Sequence, residues 1–154
     1  MLLNHPTERF CTAIVIRMRH VREHWQVTMA NGGHPPAVLL QHPEPPRTLG
    51  EPTCLVGAFD DAGYDDVGFD LVPGATVLLY TDGVTEARSS DGFYDDDRLS
   101  TVLRRGTKDA ASLVAGVLED VLRFQEGQPK DDIAMIALHV PPLAGTSEHR
   151  ANTT

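Results

Sequence analysis

The sequence has few cysteines, no long apolar segment and little positive charge. Cys11 and Cys54 are its only cysteines, and their separation matches no cysteine-based metal motif. Cys11 lies in an apolar run, which predicts a reduced, buried thiol. No apolar stretch reaches the roughly eighteen residues of a membrane span, and the N-terminus lacks the basic start and apolar core of a signal peptide. These absences predict a cytoplasmic protein that does not enter a membrane.

The charge distribution argues against a nucleic-acid partner. The formal net charge is -9, and half of the 22 acidic residues lie in two segments, 60–86 and 91–97. Arg88 is the only basic residue between positions 60 and 97. Binding to nucleic-acid phosphates requires a concentrated basic surface, which this sequence does not indicate.

The apolar pattern predicts one α+β domain. The chain has 154 residues, of which 41% are hydrophobic, enough for a single core. Asp109 is a suitable N-cap for a helix with apolar positions at spacings of three and four, and loops are expected at 41–63 and 89–92. A mostly antiparallel sheet covered by helices on one face at least is expected. Strands are predicted at residues 10–18, 25–30, 37–40, 67–71, 76–80 and 133–140.

Two acidic segments are expected to meet at one edge of that sheet. If strand 76–80 pairs antiparallel with the last strand, the end of the first lies beside the start of the second, so that Asp82 meets Asp131 and Asp132. Carboxylates suit Mg²⁺ and Mn²⁺, and a bound cation acidifies water for attack on phosphate esters. Gly83 would allow a sharp turn close to an ion. The simpler alternatives are an ordinary Asp-Gly turn and a solvated Asp-Asp pair.

The motifs around these aspartates resemble those of SpoIIE-type phosphatases, which belong to the metal-dependent PPM family of serine/threonine phosphatases. The resemblance covers the chain up to Val140 and implies the C-terminal portion of a bacterial phosphatase domain over residues 1–140, followed by a polar, disordered tail over 141–154. It rests on the following segments: FCTAIVIRM (10–18), MANGGHPPAVLL (29–40), LVPGATVLLYTDGVTEAR (71–88), DGFYDDDRL (91–99) and PKDDIAMIAL (129–138).

The resemblance implies a site, a cofactor and a substrate class. Asp82 and Asp131 correspond to metal ligands of the family, Gly83 shapes the turn behind Asp82, and Asp132 is a candidate to orient ligands or water. Mn²⁺ or Mg²⁺ is the implied cofactor, in an α/β sandwich. The implied reaction is hydrolysis of phosphoserine or phosphothreonine on a regulatory protein, typically an anti-anti-sigma factor.

One family motif has no counterpart in these 154 residues. Family members carry, before the strand matching 10–18, N-terminal helices and an Asp-containing Gly-His-Gly segment that supplies the carboxylate bridging two metal ions. His5 has no neighbouring Gly or Asp and cannot replace it. We therefore expect an incomplete two-metal centre, low activity for the chain alone, and an open sheet edge that favours a homodimer or complementation by an N-terminal piece.

Three hypotheses about what this chain does follow from the sequence. The chain is an enzyme portion, a non-catalytic phosphatase-like module that binds a regulatory protein, or a fragment from a disrupted reading frame.

His34 is expected to be a turn residue whose ring bonds nearby backbone, because neutral histidine is poorly matched to a hard cation.

Overall fold

The fold is built mainly from strands. A computed structural model describes residues 10–51, 53–90, 92–126 and 131–143. None of the described helices is long and apolar enough to span a membrane. In chain order the described elements are β1 (Ala13–Val21), β2 (His24–Gly32), β3 (Ala37–Leu40), β4 (Arg47–Leu49), β5 (Asp66–Leu71), β6 (Thr76–Tyr80), β7 (Arg88–Ser89), β8 (Gly92–Phe93), α1 (Asp95–Leu103), α2 (Ala110–Phe124) and β9 (Met135–His139).

The strands form two main antiparallel sheets. The first has the order β1-β2-β5 and the second the order β4-β3-β6-β9, while β7 and β8 form a separate short ribbon. β1 and β2 are a hairpin, paired from Ala13 opposite Gly32 to Val21 opposite His24. The predicted fold class, α+β with a mostly antiparallel arrangement, is confirmed.

The second sheet is the middle of three layers, which explains the continuous apolar sequence of β6. Val77 packs among buried residues of the first sheet, including Met29. Leu78 packs on the opposite face, in a cluster with Val117 and Val121 of α2. Successive side chains of a strand point to opposite faces, so both faces of β6 are buried. The helices cover one face of the second sheet, as predicted.

Short strands and one cysteine differ from the expectations. β4 lies within the predicted loop 41–63, and the β7–β8 ribbon replaces much of the predicted loop 89–92. Strands of two or three residues are too short to show an alternating pattern. β9 begins at Met135 rather than Ile133. Cys11 is exposed rather than buried, because it precedes β1 and forms only an isolated bridge with Val56.

A buried carboxylate joins the two helices. Asp120 of α2 is 8% exposed and accepts a 2.9 Å hydrogen bond from the hydroxyl of Tyr94, the residue before α1. Nitrogens of three guanidinium groups lie within 3.8 Å of the same carboxylate. Burial, and then the bond to Asp120, raises the pKa of Tyr94 well above its usual value. The network fixes α1 against α2 through the following arginines: Arg98, Arg105 and Arg123.

We expect Tyr94→Phe to lower the free energy of unfolding by about 1–2 kcal/mol, because it removes a hydrogen bond to a buried charged group. The ring contact with Phe124, at a centroid distance of 5.5 Å, is retained. Urea unfolding measures the loss. Tyr64→Phe is the matched control, since the Tyr64 hydroxyl bonds the Leu55 carbonyl at an exposed position. That control should change stability by less than about 0.5 kcal/mol, and equal losses in both variants would contradict the prediction.

Gly116 lies in the interior of α2, where the structure has room for a side chain. A Cβ added there meets no atom within 4 Å. Glycine inside a helix costs about 0.5–1 kcal/mol relative to alanine, chiefly through backbone entropy. We expect Gly116→Ala to raise the free energy of unfolding by about that amount, measured by urea unfolding. A destabilised variant would disprove this account of Gly116.

Candidate metal centre

The end of β6 and the start of β9 lie side by side. Tyr80, the last residue of β6, pairs with Met135, the first residue of β9. The pairing continues past the strand ends, because the amide of Thr81 donates a 3.0 Å hydrogen bond to the carbonyl of Ala134. The antiparallel pairing expected from the sequence is confirmed. It brings the segment that begins at Asp82 to the sheet edge from which residues 131–134 approach β9.

Thr81 ties the two acidic segments together. Its hydroxyl donates a 3.0 Å hydrogen bond to the carbonyl of Asp132 and accepts a 3.0 Å hydrogen bond from the amide of Ala134. Thr81, the residue before Asp82, is therefore hydrogen-bonded to two residues of the opposing segment, Asp132 and Ala134. No role for Thr81 was predicted from the sequence. Its position between a buried strand and Asp-Gly was the available signal, because a hydroxyl there can satisfy backbone groups where strand pairing ends.

Gly83 is required by close backbone packing. A Cβ added to Gly83 would lie 2.4 Å from the carbonyl oxygen of Asp132, closer than side-chain carbons approach. Gly83 is not among the glycines with positive φ, so its value here is its lack of a side chain. The turn is closed by the amide of Val84, which bonds the Thr81 carbonyl at 3.0 Å, and by the amide of Glu86, which bonds the Asp82 carbonyl at 2.7 Å.

The turn between β2 and β3 lies at the same sheet edge. β3 runs antiparallel to β6, with Val38 opposite Leu78, so the start of β3 lies beside the end of β6. The His34 amide donates to the Asn31 side-chain oxygen at 2.9 Å, and the Asn31 side-chain nitrogen donates to the His34 carbonyl at 2.8 Å. Nδ1 of His34 lies 3.0 Å from the Pro35 carbonyl oxygen. His34 is thus the turn residue with a backbone-bonded ring that the sequence predicted.

The carboxylates at this edge are exposed and form no salt bridge with the described residues. Asp82, Asp131 and Asp132 are all exposed. One carboxylate oxygen of Asp131 accepts a 2.8 Å hydrogen bond from the Asp132 amide. Among the described residues, none of the three forms a salt bridge. Adjacent negative charges of this kind attract a cation.

The oxygen donors suit a hard divalent cation, but they do not complete its coordination. Mg²⁺ and Mn²⁺ prefer carboxylate and water oxygens, which the exposed edge can offer. In the part of the chain that the structure describes, no group of three or more His, Cys, Asp and Glu side chains is placed to hold a metal ion. Asp82 and Asp131 thus supply carboxylate oxygens of the type that such a cation takes, and further ligands would have to complete its coordination.

The fold and this edge define a class of protein. Solved structures with the same fold are phosphatase domains of the PP2C and PPM type, and the model of the family described as "Stage II sporulation protein E (SpoIIE)" matches residues 1–141. The chain belongs to the SpoIIE family of PPM-type phosphatase domains. The resemblance inferred from the sequence motifs is confirmed.

Individual relatives are distant in sequence and longer than this chain. Phosphoserine phosphatase RsbU of Bacillus subtilis (strain 168) is 27% identical over 115 residues, which cover 73% of this chain and 34% of the relative. Phosphoserine phosphatase RsbP of the same organism is 28% identical over 92 residues, 60% of this chain and 22% of the relative. The phosphatase domain of SpoIIE from Bacillus subtilis, presoaked with Mn, is 14% identical with a TM-score of 0.66, over 84% of this chain and 56% of that chain. The chain thus spans about a third or less of these two curated relatives.

Proposed function

We propose that this chain is the C-terminal portion of a Mn²⁺- or Mg²⁺-dependent protein phosphatase domain, with Asp82 and Asp131 as metal ligands. The observation that carries the proposal is the pairing of β6 with β9, which brings the segments bearing these two residues to one edge of the second sheet. Membership of the SpoIIE family supports the reaction class. The proposed domain covers residues 1–140, with a tail at 141–154, of which 144–154 lie outside the described residues.

The residues around the site have separate roles in this proposal. Asp82 and Asp131 would hold the cation, and the cation when bound would activate water and neutralise phosphate charge. Thr81 and Gly83 keep the two acidic segments in contact, through the hydrogen bonds and the close packing described above. Asp132 is exposed at the same edge and would orient ligands or water.

The proposed substrate is phosphoserine or phosphothreonine on a regulatory protein, of the kind that anti-anti-sigma factors represent. Two relatives named phosphoserine phosphatases support the phosphoserine part of this assignment. The exposed position of the acidic segments supports a protein substrate, because a bulky chain can reach them. A cytoplasmic location, expected from the sequence, belongs to the same proposal.

We propose that residues 1–154 alone need a further polypeptide segment, in the same chain or in a second one, for full activity. Two-ion hydrolysis requires both cations to be held about 3.5–4 Å apart, and the printed sequence contains no Gly-His-Gly segment to supply a bridging ligand. Among the described strands, β1 pairs only with β2, and Val15 on β1 is 67% exposed. An N-terminal segment or a second copy of the chain could add to this edge.

The test compares two preparations with a phosphoserine peptide and Mn²⁺. The chain alone should release phosphate slowly. Addition of a separately purified N-terminal half of a SpoIIE-type phosphatase domain, which carries the Gly-His-Gly segment, should raise the rate. The same mixture made with Asp82→Asn should stay at the background rate. A high rate from the chain alone would overturn the need for a second polypeptide. A rate in the mixture that Asp82→Asn does not change would overturn the role of Asp82.

A non-catalytic module that binds a regulatory protein is the second candidate. The observation that favours it is the absence, among the described residues, of a cluster of three or more metal-binding side chains. Such a module would bind its phosphoprotein partner equally well with EDTA and with Mn²⁺, whereas metal-dependent binding would favour the enzyme. Calorimetric titration under both conditions distinguishes the two.

A further inference from the structure

A cavity in the described part of the chain lies far from the acidic edge. It has a volume of about 600 Å³ and is lined by the end of β3, the start of β6 and the segment after α1. Thr76, at the start of β6, lines the cavity, whereas Asp82 follows the other end of the same strand. At about 3.3 Å per residue, the two positions are roughly 20 Å apart. The cavity is therefore separate from the candidate metal centre.

The cavity is basic in a protein that is strongly acidic. Arg104, Arg105 and His42 line it, and Glu44 is the only acidic residue of the lining. Arg104 forms no salt bridge with the described residues. Two arginines among the lining residues are therefore an exception to the net charge of -9, and positive charge beside the cavity would attract an anion.

The other basic wall residue, Arg105, is only partly neutralised. Its guanidinium lies 3.7 Å from Asp120, and two further arginines share that carboxylate. The side chain of Arg105 is 63% exposed, so it can also reach a ligand. One carboxylate cannot compensate three guanidinium groups, which leaves positive charge beside the cavity.

The remaining wall has both polar and apolar parts. The Thr76 hydroxyl oxygen and Nδ1 of His139 are 2.8 Å apart, so this polar residue of the lining is already hydrogen-bonded. Leu40 and Leu103 supply apolar surface. The end of α1 does not oppose an anion strongly, because backbone amides bond its last carbonyls: Arg104 to Ser100, Arg105 to Val102 and Gly106 to Leu103.

We propose that this cavity binds a small phosphorylated organic molecule, at a site remote from the metal edge. Arg104 and Arg105 would hold the phosphate, because guanidinium groups form strong charge-assisted hydrogen bonds with phosphate oxygens. Leu40 and Leu103 would contact the organic part. The volume of about 600 Å³ lies within the range of roughly 300–1,000 Å³ for small-molecule sites and accommodates a ligand the size of a nucleoside monophosphate. The proposal does not depend on the proposed phosphatase activity.

The test is an NMR titration of the full chain in EDTA, with adenosine monophosphate, inorganic phosphate and adenosine as probes. Adenosine monophosphate should bind most tightly, and its largest shift changes should fall on amides of Gly106, Thr107 and Thr76. Arg104→Gln combined with Arg105→Gln should weaken binding by about tenfold or more. Arg17→Gln, on β1 of the other sheet, should leave binding unchanged.

Arg104→Gln alone guards against a folding defect in the double variant, because Arg104 forms no salt bridge with the described residues that the substitution would remove. This variant should keep the wild-type amide spectrum and should still bind adenosine monophosphate more weakly than the wild type. Absence of saturable binding by adenosine monophosphate, or equal binding by the wild type and the Arg104→Gln variant, would overturn the proposal. Shift changes confined to the residues around Asp82 would also overturn it. Binding of a polyglutamate peptide in place of adenosine monophosphate would overturn it in favour of an acidic protein segment.

Discussion

Asp82→Asn should lower the affinity of the chain for Mn²⁺ by about a hundredfold or more. Asparagine keeps the size of the side chain but removes the negative charge that a hard cation requires. Loss of a group that merely orients a ligand already costs about 10–100-fold in metal affinity, so loss of a ligand should cost at least as much. Calorimetric titration with Mn²⁺ measures the effect, and Asp131→Asn should behave in the same way.

Two matched variants separate coordination from general charge. Asp132→Asn, at the same edge, should lower the affinity for Mn²⁺ by about tenfold, because we assign Asp132 an orienting role. Asp61→Asn removes one charge from an exposed loop position and should leave affinity nearly unchanged. Equal affinity of the wild type and Asp82→Asn would rule out Asp82 as a ligand. Equal losses in all variants would show a nonspecific charge effect.

Gly83→Ala should destabilise the protein by about 2–3 kcal/mol and weaken Mn²⁺ binding at the same time. The added Cβ would lie 2.4 Å from the Asp132 carbonyl oxygen, so the turn after β6 and the segment before β9 must move apart. Overpacking of this kind typically costs about 1–3 kcal/mol, and the obstacle here is rigid backbone. Urea unfolding and Mn²⁺ titration measure the two effects.

Gly68→Ala is the matched control for that variant. Gly68 lies on β5, and a Cβ added there meets no atom within 4 Å. By the same backbone-entropy argument as for Gly116, its substitution should raise the free energy of unfolding by about 0.5–1 kcal/mol and leave Mn²⁺ affinity unchanged. If Gly83→Ala were as stable as Gly68→Ala, the close contact between residues 83 and 132 would not exist in solution.

The elements with continuous or helically spaced apolar residues were predictable from the sequence. β3 and β6 have the predicted bounds, and α2 starts after the predicted cap, whose Asp109 side chain accepts a 2.7 Å hydrogen bond from the Ser112 amide. Such elements are dictated locally, by apolar spacing and capping. β4, β7 and β8 were missed because their short pairings depend on neighbouring strands, which a local pattern does not encode.

The site was predictable only in part, for a related reason. Proximity of Asp82 to residues 131 and 132 followed from one assumption, the antiparallel pairing of two apolar strands, and that pairing is present. The contributions of Thr81 and of the Asn31–His34 turn depend on the register and order of three strands, which the sequence pattern does not specify. Gly83 lies in a turn after β6, and it also permits a close contact with the opposing backbone that the sequence did not indicate.

If Asp82 and Asp131 hold a cation, as proposed, the hydrogen bonds of Thr81 couple cation binding to local folding. β9 is an edge strand of its sheet, and the start of an edge strand opens more readily than a central one. Opening there would separate Asp131 from Asp82, so each such fluctuation would release the cation. Conversely, a cation present at a hundredfold excess over its dissociation constant would stabilise the closed arrangement by about 2.7 kcal/mol. Resistance of the start of β9 to local unfolding would therefore increase with the fraction of the site that holds a cation.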